Sequence, residues 1–593
     1  MTRAGRPSRD SFFPVSTPAE ALRRARRSWT PTVAGWACLL IGLLDAAAGL
    51  RRGLIGRVGP LANILPGVVT SAATAFTVVI GLLLVLLALA LRRRKRRAYR
   101  VVVVLLALSV AGHLLRGHSW RAVLVSLLLL VWLLINRREF YALGDPLTRL
   151  RAVMVAVGLV AMDLAIGLLS VSARPQILLG SPSLADKLGH VLAGLVGVGG
   201  PLRFASERYA DFVSALLLGL GMITLLFTAY LALRPEEPAA RLGPHDETRM
   251  RELLARSGQH DSLGYFALRR DKSVLWSESG KAAVTYRVEL GVMLASGDPL
   301  GDPEAWPGAI RRFLAEADRH AWVPAVMGCS ETGGQVWTRE GGLQALELGD
   351  EAVVQVADFS LSGRAMRNVR QMVARVARAG YVTQVRRVGE LSVAERARIG
   401  AQAASWRAGE SERGFSMALG RLGDPADDDC VLVTAHHQDR LVAFLHFVPW
   451  GNDGLSLDLM RRDRNADPGL NELLIVSALQ AAGSLGVTRV SLNFALFRST
   501  FERADRLGAG PVVRAMRNLL RLLSRRFQIE SLYRFNAKFA PQWMPRYLLY
   551  PKASDLPRIA LAALEAEAFV RLPRLFQAEV EADAAAHRAR SAG

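Results

Sequence analysis

The sequence predicts a multi-domain protein: an N-terminal α-helical membrane bundle of about six spans, followed by a cytosolic α/β domain. Three observations predict this. Long apolar runs are confined to residues 32–233. Arginines crowd alternate loops between those runs. Beyond Pro235, short β-like stretches alternate with helical ones. The 593 residues exceed one ordinary domain. A hydrophobic content of 51% and a mean hydropathy of +0.21 exclude a disordered chain. Three cysteines, Cys38, Cys329 and Cys430, with no CxxC pair, exclude a disulfide framework and a thiolate zinc site. The formal charge of +23 favours a polyanionic partner, nucleic acid or anionic lipid. Only six of the 75 basic residues are lysines, a bias that base composition can produce, so the placement of charge carries more than its total.

A basic tail over residues 1–30 precedes the bundle, which we place at residues 31–234. Thr32–Leu50 and Gly67–Leu91 are each long enough to cross a hydrocarbon core that takes about 20 helical residues. Arg151–Ser172 and Asp211–Leu233 are long enough too. Val101–Leu115 and Ser119–Ile135 are shorter and read either as two short spans or as a re-entrant hairpin. Arg23, Arg24, Arg26 and Arg27 before the first run, Arg92–Arg97 in the second loop, and Arg137 and Arg138 in the fourth place those segments in the cytoplasm. Both termini are then cytoplasmic, in a multi-pass protein of the bacterial inner membrane. Asp45 and Asp163 lie within apolar runs; they mark either a polar path or hydrated span ends.

Pro235–Pro238 opens a linker over residues 235–250. A first α/β lobe is expected at 251–378, a second at 379–575, and a tail at 576–593. Strand candidates are Ala283–Leu290, Trp322–Met327, Val353–Val356, Val382–Arg387, Val431–Ala435, Leu441–Val448 and Arg489–Leu492. Helix candidates are Trp306–His320, Gly363–Ala379, Val393–Trp406 and Gly469–Leu485. Asp424–Asp429 reads as a solvated acidic turn. In Pro511–Phe527, Val513, Met516, Leu520, Leu523 and Phe527 recur at helical spacing opposite Arg514, Arg517, Arg521 and Arg525, a basic amphipathic helix.

There is no GxSxG elbow, P-loop or HExxH motif. His436, His437 and His446 lack a ligand set and read as structural histidines. Asp505–Gly510 approaches an acyl-coenzyme A signature but lacks its leading Gln or Arg. Three segments look chemical. Gly297–Asp302 sets two carboxylates on a Gly/Pro turn. Leu455–Arg462 alternates Ser456, Asp458 and Met460 on one strand face and ends in arginines. Tyr533–Tyr547 mixes three cations with five aromatics, a combination that can stack bases and hold phosphates. These residues alone describe a transferase-like cytosolic domain serving a membrane.

The stretches LSLDLMRRDRNADPGLNELLIVSALQAAGSLGVTRVSLNFALFRS and LYRFNAKFAPQWMPRYLLY, with the upstream GDPLGD turn, resemble the C-terminal domain of the aminoacyl-phosphatidylglycerol synthases, the multiple peptide resistance factor family. The likeness covers about 300 residues and is nearest to the actinobacterial form fused to a lysyl-tRNA synthetase. The sequence ends at Gly593, just past the transferase, so charged tRNA is expected from a separate synthetase. The resemblance implies two tandem acetyltransferase-like (GNAT-like) lobes. It also implies transfer of an aminoacyl group, lysyl by preference, from aminoacyl-tRNA to the glycerol hydroxyl of phosphatidylglycerol. Such an ester exchange implies neither cofactor nor metal, and its cationic product implies protection against cationic peptides. An inactive lipid translocase or scaffold, or transfer to another hydroxyl such as that of diacylglycerol, is the alternative.

On this resemblance Asp458 would assist deprotonation of the hydroxyl or bind the aminoacyl ammonium. Arg461 would hold the lipid phosphate or the oxyanion. Lys538, with Arg534 and Arg546, would bind lipid or tRNA phosphate. Asp298, Asp302 and Glu472 would shape the aminoacyl pocket.

Overall fold

The computed structural model describes residues 29–44, 47, 80–88, 90–92, 94–115, 120–140, 146–233, 238, 240–407, 414–496 and 529–570. The basic helix expected at Pro511–Phe527, the turn Asp505–Gly510 and Asp45 of the first apolar run lie outside them. The chain divides into two compact units, residues 1–236 with 319–321, and residues 237–318 with 322–593.

In the first unit, helices run over Arg96–Leu115, Trp120–Ile135, Pro146–Ser172, Leu184–Leu195 and Glu207–Leu233. Within them, Val153–Ser172 and Glu207–Ala229 are long and apolar enough to cross a membrane; Trp29–Leu44 and Val123–Ile135 are shorter apolar helices. Val157, Leu169 and Ile223 stand exposed on the long helices, as side chains facing hydrocarbon do. Asp163 is buried and accepts a 2.7 Å hydrogen bond from Thr224, which offsets the cost of placing an acid among apolar helices. Ser183 and Asp186 close a capping box that starts the Leu184–Leu195 helix.

The second unit is organised on a twelve-stranded mixed sheet among the described residues. Its strands are β1 (Ser273–Trp276), β2 (Ala282–Glu289), β3 (Val292–Ser296), β4 (Leu300–Gly301), β5 (Val323–Cys329) and β6 (Gln344–Gln355). They continue with β7 (Tyr381–Arg387), β8 (Val431–His437), β9 (Arg440–Trp450), β10 (Gly454–Arg462), β11 (Arg489–Leu496) and β12 (Gln542–Tyr550). The order is β1-β2-β3-β5-β12-β6-β11-β10-β9-β8-β7, with β4 beside β2. β3–β5 and β10–β11 pair in parallel, the rest antiparallel. β9 is buried along nearly its whole length, which is why Leu441–Leu445 reads as a continuous apolar run rather than as alternation.

The Trp306–His320 helix has the bounds the sequence suggests. Trp306, Ala309, Ile310, Phe313 and Ala317 form its buried stripe. The Leu470–Ala481 helix is buried on most sides because the sheet core and the Arg367–Arg378 helix both pack against it, Val369 and Val376 meeting the same cluster as Leu470, Leu473 and Leu474. The acidic turn expected to be solvated instead buries Asp427, which takes Arg251 at 2.7 Å and Arg421 at 2.9 Å.

Two features place the chemical segments. β12 threads back between β5 and β6, pairing Gln542–Tyr550 with residues 344–353 and Tyr547–Leu549 with residues 326–329. β10 is bulged at Asp458, since Leu457 and Leu459 oppose the consecutive residues Phe447 and His446. The bulge breaks the simple alternation expected along this strand.

Candidate functional site

The bulge turns the Asp458 carboxylate into a tight cradle. One oxygen accepts the Leu419 amide at 2.6 Å; the other lies 2.7 Å from Nδ1 of His446 on β9. Burial alone would depress the His446 imidazole, but the hydrogen bond and charge of Asp458 outweigh it and hold its pKa up to about 10. Asp458 therefore pairs with a buried imidazolium rather than with Arg461. Burial pushes the Cys430 thiol up, which leaves it protonated and unreactive at neutral pH. Leu419 also lines an open cleft of about 430 Å³ together with Arg269, Arg270, Asp271 and Arg421.

Arg461 stands three residues further along β10, half-buried, and has no hydrogen-bond or ion-pair partner among the described residues. The strand then runs through Arg462 to the turn that begins the Leu470–Ala481 helix. Gly469, at φ +107, makes that turn; a Cβ there would lie 2.5 Å from the Met372 side chain.

Glu472, in the first turn of this helix, accepts 2.8 Å from Lys538 Nζ. The structure thus joins two residues that are 66 positions apart in sequence. The Glu472 side chain is 8% exposed and that of Lys538 40%, so the ammonium faces solvent over a buried acid. Lys538 Nζ also lies 5.3 Å from the Phe535 ring, and Asn536 ties the segment to β11 through the Leu492 carbonyl. Arg534 is exposed on the Ile529–Asn536 helix, which ends just before Lys538.

Arg546 is placed differently. It is buried, and all five of its donors are taken: Nε by Glu351 at 2.9 Å, Nη1 by Asp261 at 2.7 Å and the Gly328 carbonyl at 3.2 Å, Nη2 by Ser262 at 2.6 Å and Glu351 at 2.5 Å. A guanidinium so committed binds the sheet rather than a phosphate. Asp298 belongs to this network. Its carboxylate accepts from Ser330 N and Oγ, and its own amide donates to Asp261 at 2.8 Å. Burial, reinforced by the Asp261 charge, raises Asp298 to about 7. Asp302 caps the short turn at Pro303–Ala305, accepting from Glu304 N.

Reading the sequence alone missed His446 as the partner of Asp458, and missed Asp261 and Glu351 altogether. Asp261 lies in no strand or helix, and Glu351 sits inside a strand whose neighbours come from 140 and 195 positions away. It also missed Lys272. That side chain is fully buried, with Nζ bonded to the Phe266 carbonyl and Ser296 Oγ; burial and the Arg269 charge bring its pKa down to about 7.

Comparison with known proteins adds two family matches. Residues 251–550 match the C-terminal model of phosphatidylglycerol lysyltransferase, and residues 26–233 match the transmembrane region of lysyl-tRNA synthetase. The lysylphosphatidylglycerol biosynthesis bifunctional protein LysX of Mycobacterium avium is 40% identical over 565 residues, covering 93% of this chain and 47% of that protein. Its namesake in Mycobacterium tuberculosis is 45% identical over 454 residues, covering 76% and 38%. The chain thus spans about half the length of the curated relatives it matches. The solved structure of L-PGS from Bacillus licheniformis is 20% identical, with a TM-score of 0.48, covering 56% of this chain and 99% of that one.

Proposed function

Because the chain belongs to the phosphatidylglycerol lysyltransferase family, with a transmembrane region ahead of its C-terminal domain, we propose that it moves a lysyl group from lysyl-tRNA to the glycerol hydroxyl of phosphatidylglycerol. The observation that carries this reading is the match over residues 251–550, which spans every strand from β1 to β12 and all three chemical segments. The names of the mycobacterial relatives favour lysine as the cargo.

The donor ester and the acceptor hydroxyl exchange places: the glycerol oxygen bonds to the lysyl carbonyl carbon, the ribose oxygen leaves, and one proton passes from the first oxygen to the second. Positioning and charge stabilisation supply most of such a reaction. Arg461 binds the lipid phosphate or the developing oxyanion. Lys538, oriented by Glu472 and flanked by Arg534, holds a second phosphate. Asp458 is held by the Leu419 amide and by Nδ1 of His446. Each of its oxygens retains a lone pair, so the carboxylate can still accept the hydroxyl proton or the lysyl ammonium. Asp298, Asp302 and Arg546 serve the frame beneath the site.

The same reading gives the first unit six spans with both termini cytoplasmic in a bacterial inner membrane, and gives the second two acetyltransferase-like lobes. A lysyl-tRNA synthetase supplies the donor. Expression in a phosphatidylglycerol-rich host followed by lipid mass spectrometry tests the reaction. A lipid heavier by one lysyl group, lost from extracts treated with ribonuclease, supports it; no new lipid from well-expressed protein refutes it.

A further inference from the structure

We propose that the outer face of the Arg367–Arg378 helix, with Arg364 before it, is the surface on which the sugar-phosphate backbone of the donor tRNA docks. The inference rests on the proposed tRNA-dependent reaction and names where the donor lies outside the reacting centre.

Between Asp358 and Glu390 the chain has seven arginines and no acid. Five of them, Arg364, Arg367, Arg370, Arg375 and Arg378, are exposed on or beside this one helix. None has a carboxylate partner among the described residues. Arg370 donates to the Leu361 carbonyl, Arg375 to the Pro468 carbonyl at 2.5 Å, and Arg378 to the Ala374 carbonyl at 3.2 Å. Other arginines of this unit do have acid partners: Arg396 with Asp428, Arg421 with Asp427, Arg440 with Asp463. A row of uncompensated guanidiniums stores repulsion that an external polyanion relieves.

The apolar residues decide which polyanion. Val369 and Val376 are buried against the Leu470–Ala481 helix, and Met372 and Val373 are partly buried. The outward face has only arginine, Asn368, Gln371 and alanine. A helix that lies in a bilayer interface turns an apolar face to the lipid; this one has none to offer. Guanidiniums suit bidentate contact with phosphates.

The helix is also continuous with the candidate site. Arg375 holds the carbonyl of Pro468, the residue before the Gly469 turn, and Glu472 follows in the next helical turn to receive Lys538. Tyr381, just past the helix, bonds Asp467 in the same loop at 3.0 Å. A tRNA laid along the arginines is therefore anchored next to the turn that presents Glu472 and Lys538.

The full chain, reconstituted in nanodiscs of phosphatidylcholine with or without phosphatidylglycerol, tests this with fluorescent lysine tRNA. In Arg364→Glu/Arg367→Glu/Arg378→Glu the affinity falls about tenfold or more at physiological salt, and the salt slope of log K shrinks by about 2, since each phosphate contact contributes about 0.7–0.9. The KM for lysyl-tRNA rises while kcat stays within about twofold. The matching Arg→Lys variant retains most of the affinity. A probe on Gln371→Cys is shielded by tRNA in both lipids. Unchanged affinity and salt slope overturn the proposal, as does shielding of that probe by phosphatidylglycerol without tRNA. Wild-type protein that neither binds tRNA nor consumes lysyl-tRNA defeats the underlying reaction instead.

Discussion

The Asp458 carboxylate meets Nδ1 of His446 at 2.7 Å, an acid on the β10 bulge and a buried imidazole on β9 that the sequence keeps 12 residues apart. Burial opposes charge on His446, but the Asp458 hydrogen bond outweighs it and holds that imidazole up to about 10.

This pairing carries a pH signature. His446 titrates near 10 when folded and, like any unfolded histidine, near about 6.5 once released. A raised folded pKa contributes stability that is complete below about 6.5 and is lost as pH rises towards 10. Thermal midpoints of the purified chain should therefore decline from pH 7 to 10, and His446→Ala should remove this part of the decline. The same substitution leaves the buried carboxylate unpaired and should cost about 3–5 kcal/mol. A parallel decline in the variant would contradict the assignment.

Asp458→Asn separates chemistry from packing. The amide keeps the shape and can still accept the Leu419 amide hydrogen, so the protein should fold with a loss of about 1–3 kcal/mol. Lipid product should nevertheless fall by at least about 100-fold, the scale of one positioned proton-transfer group. Product at the wild-type level would remove Asp458 from the reaction.

Lys538 and Glu472 make the opposite case. The ammonium is 40% exposed, so its ion pair contributes at most about 1 kcal/mol to stability. Lys538→Ala should unfold at nearly the wild-type temperature while activity falls steeply. Equal losses of stability and activity would mark the pair as structural.

Arg546→Ala should fail in the reverse manner. It strands Asp261 and Glu351 as buried acids without their cation, a loss of about 3–5 kcal/mol. Expression and thermal midpoint should drop before any change in KM appears. In the same network Asp298 titrates near 7 when folded and about 3.9 when unfolded, so stability should fall as pH rises from 4 to 7. Asp298→Asn should flatten that slope.

Much of the fold was legible in the sequence. The Trp306–His320 stripe repeats every three to four residues, and Val431–Ala435 is rich in β-branched residues and apolar apart from Thr434, so local pattern identified both. β12 was not legible. It contains Pro545 inside a central strand, tolerated beside the bulge at Arg546, and its aromatic and basic residues read as a binding segment. The site divided along the same line. Asp458, Arg461, Glu472 and Lys538 lie in long recognisable motifs. The partners that decide what these residues can do, His446 for Asp458 and Asp261 with Glu351 for Arg546, are set by strand pairing between distant segments, which no local pattern encodes.

The most direct test uses the purified chain in phosphatidylglycerol vesicles with tRNA charged with radiolabelled lysine, and follows the label into the organic phase. The account predicts that lysine appears on phosphatidylglycerol, that ribonuclease or Asp458→Asn abolishes the transfer, and that free lysine does not replace the charged tRNA. Label that stays on tRNA with the folded, membrane-embedded protein, or that reaches lipid equally well without tRNA, would contradict it.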